Sequence, residues 1–215
     1  MSNVIDTEKR VAAEASAELV EDGMRVGLGT GSTVAFLLPA LAARGLEIRC
    51  VATSEETERV GRELGLPIEP FDSLDHLDIT IDGADQVAPD GWLVKGGGGA
   101  HTREKIVAAA ADRFVVIADS SKPVDRISAP IPLELFAFGV AATLRRLGDA
   151  ALRDGAGRSP NGGLIADYRG EVDSPTALAG FFSTTPGVID HGLFEPEMVS
   201  EVLIGRGEEV ERIAL

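Results

Sequence analysis

Four short segments of this chain hold chemically useful residues at fixed spacing, and each follows an apolar run of the kind that forms a buried strand. In "VKGGGGAHTREKI", Val94 to Ile106, Lys95 precedes four glycines and Glu104 lies nine residues beyond that lysine. Thr102 is placed to cap a helix, which sets Glu104 in the first turn, where the positive end of the helix dipole favours an ionised carboxylate. Such a carboxylate can act as a base toward a ligand or can simply complement the dipole, and both readings stand at this point. In "DGAD", Asp82 and Asp85 sit three residues apart on a turn. They can converge on one ligand and exchange protons with it, make ordinary Asx hydrogen bonds, or hold magnesium. "GLGTGST", Gly27 to Thr33, suits either a tight turn or a phosphate site built from helix-start amides and the hydroxyls of Thr30, Ser32 and Thr33. It is not a dinucleotide fingerprint, which needs glycine where Ser32 stands, nor a P-loop, which needs Gly-Lys-Ser or Gly-Lys-Thr. In "ADSSKPVD", Lys122 is a point charge for a phosphate or plain surface. His101 reads as a loop residue, and no metal-ligand spacing joins it to His76 or His191.

Open parallel sheets build sites at the carboxyl ends of their strands, so these segments require such a sheet. The spacing predicts an amphipathic helix over Asp6 to Glu21, with Val11, Ala15 and Leu19 on one face and acids near its start. It also predicts strands at "MRVGLG", "IRCVAT", Asp78 to Asp82, "WLVK" and "FVVIAD". Helices are expected at "VAFLLPALAARG", ended by Gly45, at "SEETERVGRELG", capped by Ser54 and stopped by Gly65, and at "TREKIVAAAADR", with Ile106 and Ala110 on one face. The order β, loop, α, β, α signals a mainly parallel sheet. Near Pro130 the pattern shifts to an extended segment, a helix, strands, and a helix begun by Ser174 and Pro175, which implies a smaller α+β unit. The tail from Met198 reads as two short strands returning to the first domain.

A chain of 215 residues, 44% apolar, can bury one large core or two unequal ones. Net charge is −15, from 35 acidic against 20 basic residues, which repels nucleic acid and anionic membranes. Only four basic residues are lysines, and this acidic, lysine-poor balance predicts adaptation to high salt. The single cysteine, Cys50, lies in an apolar run, which favours a structural thiol and a reducing compartment. The start lacks the pattern of a signal peptide and no run of eighteen apolar residues occurs, so a cytoplasmic protein is expected.

Taken in order and spacing, "GLGTGST", "TSEET", "DGAD", "KGGGGAHTREK" and "ADSSKPVD", followed by "NGG" and "PGVIDHGLF", resemble the ribose-5-phosphate isomerase family of type A. The resemblance covers nearly the whole chain and departs at Gly99 and His101 while keeping Glu104 in register. It implies an α/β fold: a Rossmann-like, mainly parallel sheet domain over 1–128 and 203–215, and a smaller α+β, ferredoxin-like domain over 129–202. It implies interconversion of ribose 5-phosphate and ribulose 5-phosphate through an enediolate, with no metal and no cofactor, in a homodimer or homotetramer. Glu104 would be the base, Asp82 and Asp85 would handle hydroxyl protons and ring opening, and Lys95 would stabilise the oxyanion. Substrate contacts would come from Thr30, Gly31, Ser32 and Thr33, from Asp82, Gly83, Ala84 and Asp85, from Lys95, Gly96, Gly97 and Gly98, and from Lys122, with help from Lys9. The same architecture serves sugar-phosphate deaminases, coenzyme A transferases and sugar-sensing regulators, but the chain shows no helix-turn-helix or basic surface for the last.

Overall fold

The computed structural model describes residues 2–215. In chain order the elements begin with α1 (Ser2–Ala17), β1 (Arg25–Leu28), α2 (Val34–Ala43), β2 (Arg49–Ala52), α3 (Glu55–Glu63) and β3 (Ile79–Gly83). Next come β4 (Gln86–Val87), β5 (Leu93–Val94), α4 (His101–Ala109), β6 (Phe114–Asp119) and β7 (Ile131–Leu135). The rest are α5 (Val140–Leu147), β8 (Ala150–Leu152), β9 (Leu164–Tyr168), α6 (Pro175–Thr184), β10 (Val188–His191), β11 (Leu193–Phe194), β12 (Glu201–Arg206) and β13 (Glu209–Ala214). Two compact units result. One comprises Met1–Ala84, Arg103–Lys122 and Glu197–Leu215, the other Asp85–Thr102 and Pro123–Pro196.

The first unit is built on a six-stranded sheet in the order β13-β12-β6-β3-β1-β2. Every pairing is parallel except the β12–β13 hairpin. All six residues of β6 are buried, as an unbroken apolar run requires in a strand covered on both faces. Helix α1 packs through Ala12, Ala13, Ser16 and Ala17, with Val20 buried just past its end, while Val11 and Ala15, and Leu19 beyond the helix, are half-buried beside them. The buried stripe is therefore one residue off the expected one, because small side chains let this helix lie close to the backbone of β12. A Cβ on Gly205 would come within 2.0 Å of the Glu8 carbonyl oxygen. The helix also starts earlier than Asp6, so its first turn carries no acid. Helix α3 has the expected ends: Ser54 Oγ accepts from Thr57 N at 3.2 Å, and Gly65 leaves at φ +84°.

The second unit runs β7-α5-β8-β9-α6-β10, with an antiparallel sheet ordered β10-β7-β9-β8. This is the ferredoxin-like arrangement. Ser174 caps α6 by accepting from Ala177 N at 3.2 Å. Its core gathers Ile131, Leu133, Leu135, Ala166, Ala179 and Phe182. Residues 85–102, which sequence patterning assigns to the first domain, belong to this second unit, because β5 pairs with β4 on one side and β11 on the other. The chain returns to the first unit at Glu197 rather than at residue 203. Among the described residues no helix is long and apolar enough to cross a membrane.

Candidate active site

Because β1, β3 and β6 run parallel, the segments that leave their carboxyl ends emerge along one edge of the first sheet. Asp82, in β3, is 1% exposed, and its Oδ1 accepts from Thr30 N at 3.1 Å and Gly83 N at 2.7 Å. Two amides aimed at one oxygen fix the plane of the carboxylate. Residue 29 has to be glycine for this approach, since a Cβ there would stand 1.9 Å from Asp82 Cγ. Beyond it, Thr30 Oγ1 lies 2.7 Å from Thr53 Oγ1, and Gly31 turns at φ +118°, a conformation that side chains resist. Ser32 is exposed, and its Oγ accepts from Lys9 Nζ at 3.0 Å. Thr33 is buried at the start of α2 without capping it. A lysine beside a hydroxyl, at the amide end of a helix, suits an anion. Lys122 is half-buried in a turn where its N–H donates to Asp119 O at 3.1 Å.

Glu104 lies in the first turn of α4 and is 4% exposed. The helix opens two residues earlier than the Thr102 cap requires. His101 is its first residue and is fully buried, not a loop residue. Thr102 does not cap; its hydroxyl donates to Glu134 Oε2. Ile106 is 53% exposed, and the buried face of α4 carries Val107 and Ala108 instead.

In the second unit Asp85 is exposed, its N–H donates to Val94 O at 2.8 Å, and its Oδ2 accepts from Gly97 N at 2.8 Å. Lys95 is 2% exposed; its backbone N–H donates to Gly192 O at 2.8 Å, and Nζ sits 5.4 Å from the centroid of the Phe194 ring. Gly96 is buried at φ +108°, whereas Gly97 and Gly98 face outward and line a cavity of about 300 Å³.

Sequence reading missed four charged residues. Glu8 accepts from Ser120 Oγ at 2.6 Å, Ser120 N at 3.0 Å and Gly207 N at 3.0 Å. The Ser120 hydroxyl and the backbone amides hold its carboxyl below the usual range. Glu134 is buried in β7 and accepts from Ser159 Oγ, Thr102 Oγ1 and, at 3.4 Å, Asn161 Nδ2. Arg153 and Asp167 form a fork-to-fork pair. The available signal was one charge in an otherwise buried strand, Glu134 in "IPLEL" and Asp167 in "LIADY". On the opposite edge of the first sheet, His76, Asp78 and Asp112 offer ligand atoms within 4.8 Å of one another, but Asp78 Oδ2 already accepts from Arg25 N at 2.6 Å.

Comparison with known proteins identifies the family. A family model described as ribose 5-phosphate isomerase A (phosphoriboisomerase A) matches residues 49–209. Ribose-5-phosphate isomerase A of Caulobacter vibrioides is 46% identical over 223 residues, covering 97% of this chain and 98% of the relative. That of Halobacterium salinarum is 45% identical over 217 residues, covering 94% of each. Among solved structures, ribose 5-phosphate isomerase A from Neisseria gonorrhoeae superposes with a TM-score of 0.93 at 34% identity, covering 98% of this chain and 97% of that one. The Methanocaldococcus jannaschii structure gives 0.91 at 33% identity, covering 96% and 98%. Shared sequence over nearly the full length, on the same fold, means that the chain belongs to the ribose 5-phosphate isomerase A family of aldose-ketose isomerases.

Proposed function

We propose that this protein interconverts D-ribose 5-phosphate and D-ribulose 5-phosphate through an enediolate, in the non-oxidative pentose phosphate pathway. The observation that carries the reading is the bond from Thr30 N to Asp82 Oδ1 at 3.1 Å, which fixes a proton-exchanging carboxylate to the loop suited to phosphate. Glu104 takes the C2 proton of the open-chain aldose, the electron pair moves onto the C1 carbonyl oxygen, and the proton is returned to C1. Asp82 and Asp85 exchange hydroxyl protons and open the sugar ring. Lys95 matches the negative oxygen of the enediolate. Thr30, Gly31, Ser32 and Thr33 hold the phosphate together with Lys122 and Lys9, and the backbone of Gly83, Ala84, Gly96, Gly97 and Gly98 meets the sugar. Each proton removed is replaced and no electrons leave the substrate, so the chemistry calls for neither a redox cofactor nor a metal.

A cytoplasmic setting is supported by the one cysteine, buried in β2. Assembly as a homodimer or homotetramer is supported by Phe136 and Phe138 beyond the end of β7, the latter 95% exposed. The deciding experiment incubates the protein with ribose 5-phosphate in heavy water with EDTA. Ketose formation with deuterium from solvent is expected; no turnover by folded protein overturns the isomerase reading, and activity lost to EDTA overturns the metal-free one.

A further inference from the structure

Arg153 follows β8 and extends its pairing, its N–H donating to Ile165 O at 2.9 Å. Its guanidinium is used on two sides. Nε and Nη2 donate to Asp167 Oδ2 and Oδ1 at 3.0 and 2.6 Å, while Nη1 donates to the carbonyls of Gly96 and Gly97 at 3.2 and 2.8 Å. Asp167 is buried in β9, so the fork is anchored to the sheet.

The Gly96 carbonyl and the Gly97 N–H belong to one planar trans peptide, in which C=O and N–H point in opposite directions. Arg153 holds the carbonyl, and the N–H on the far side donates to Asp85 Oδ2 at 2.8 Å. Gly96, at φ +108°, lies in a region where glycine rotates with little steric resistance, so the sequence alone does not fix which way this peptide faces. A cation on the carbonyl also polarises the peptide and strengthens its N–H as a donor. The space is tight as well as oriented: a Cβ on Gly97 would lie 3.0 Å from Asp85 Oδ1.

We propose that Arg153, gripped by Asp167, is a positioning residue for Asp85, acting through the Gly96–Gly97 peptide. The inference rests on the reading that Asp85 exchanges sugar protons. Lysine cannot replace Arg153 fully, because a point charge cannot span a carboxylate and two carbonyls at once.

The test is a double-mutant cycle with Arg153→Gln and Asp85→Asn, read by kcat and KM for ribose 5-phosphate and by the amide resonance of Gly97. Arg153→Gln is expected to lower kcat about 10- to 100-fold, as loss of an outer partner commonly does. In the Asp85→Asn background the same change should cost less than about threefold, since the residue acts through Asp85. The Gly97 amide proton should move upfield in both single variants. Asp167→Asn should reproduce the kcat loss in weaker form. Losses that multiply, or a Gly97 resonance unmoved by Arg153→Gln, overturn the proposal. Should Arg153→Gln fail to fold, Arg153→Lys carries the same cycle. A wild-type protein that does not isomerise ribose 5-phosphate overturns the functional reading, while the Gly97 resonance still decides the positioning.

Discussion

Gly29→Ala isolates the position of Asp82 from its chemistry. The backbone at residue 29 lies outside the left-handed region, so alanine meets no conformational strain there. It meets the carboxylate instead, with its Cβ 1.9 Å from both Cγ and Oδ1 of Asp82. Ordinary contact begins near 3.4 Å, so the carboxylate must retreat by about 1.5 Å, which breaks the Thr30 amide bond. A misplacement of about 1 Å in a reacting constellation costs on the order of 100-fold, so kcat should fall at least that far, equivalent to about 2.7 kcal/mol. Loss of one amide bond to a charged group adds a stability cost of about 1.5–3 kcal/mol, or roughly 3–12 °C in Tm. Initial rates of ketose formation with a thermal melt measure both. Gly23→Ala is the control: its φ of +85° imposes strain, yet nothing lies within 4 Å, so it should lower Tm and leave kcat near wild type. A folded Gly29→Ala enzyme with kcat within threefold of wild type would refute the reasoning.

Glu104→Gln should cut kcat by orders of magnitude with KM little changed, and a near-normal rate would move the base to Asp82 or Asp85. Glu8 predicts an acid-sensitive anchor for α1. Its folded pKa lies below the ordinary 4.5, so its contribution is complete above about pH 5 and disappears as pH falls through the folded value. Melting midpoints of wild type and Glu8→Gln should therefore differ most near neutral pH and converge as the pH falls through the folded value; a constant gap would contradict this. Burial pushes the Cys50 thiol up to about 12, so native protein at pH 8 should resist iodoacetamide until unfolded, and rapid labelling would show the strand open. The excess of acids predicts that Tm rises with potassium chloride, and greatest stability at low ionic strength would remove the salt-adaptation reading.

The parts of the fold that could be read from sequence are those whose cause is local. The unbroken run "FVVIAD" declares a strand buried on both faces, and Ser54 with three acids after it declares the start of α3. The loops at the ends of β1 and β3 were recognisable for the same reason, since glycine and carboxylate spacing is itself local. The misplacements trace to distant partners. Thr102 looks like a cap until Glu134, 32 residues away, takes its hydroxyl. Ile106 looks like a core residue until Val107 and Ala108 are seen filling that side of α4. Arg153 reaches the glycine loop across 56 residues of sequence, a distance at which no spacing rule operates.

The first sheet also sets how this chain can fold. Strand β12 supplies the neighbour that β6 needs, yet Phe114 and Ser200, which bond at the start of that pairing, are 86 residues apart. The ferredoxin-like unit is read from the messenger in between, with all four of its strands, β7 to β10, inside that interval. On a ribosome it can therefore be complete while the sheet carrying Asp82 still has an open edge. Long-range parallel pairing is intrinsically slow, so closure of that edge is the expected late event in refolding, and unpaired β6 is the surface most exposed to aggregation until it happens.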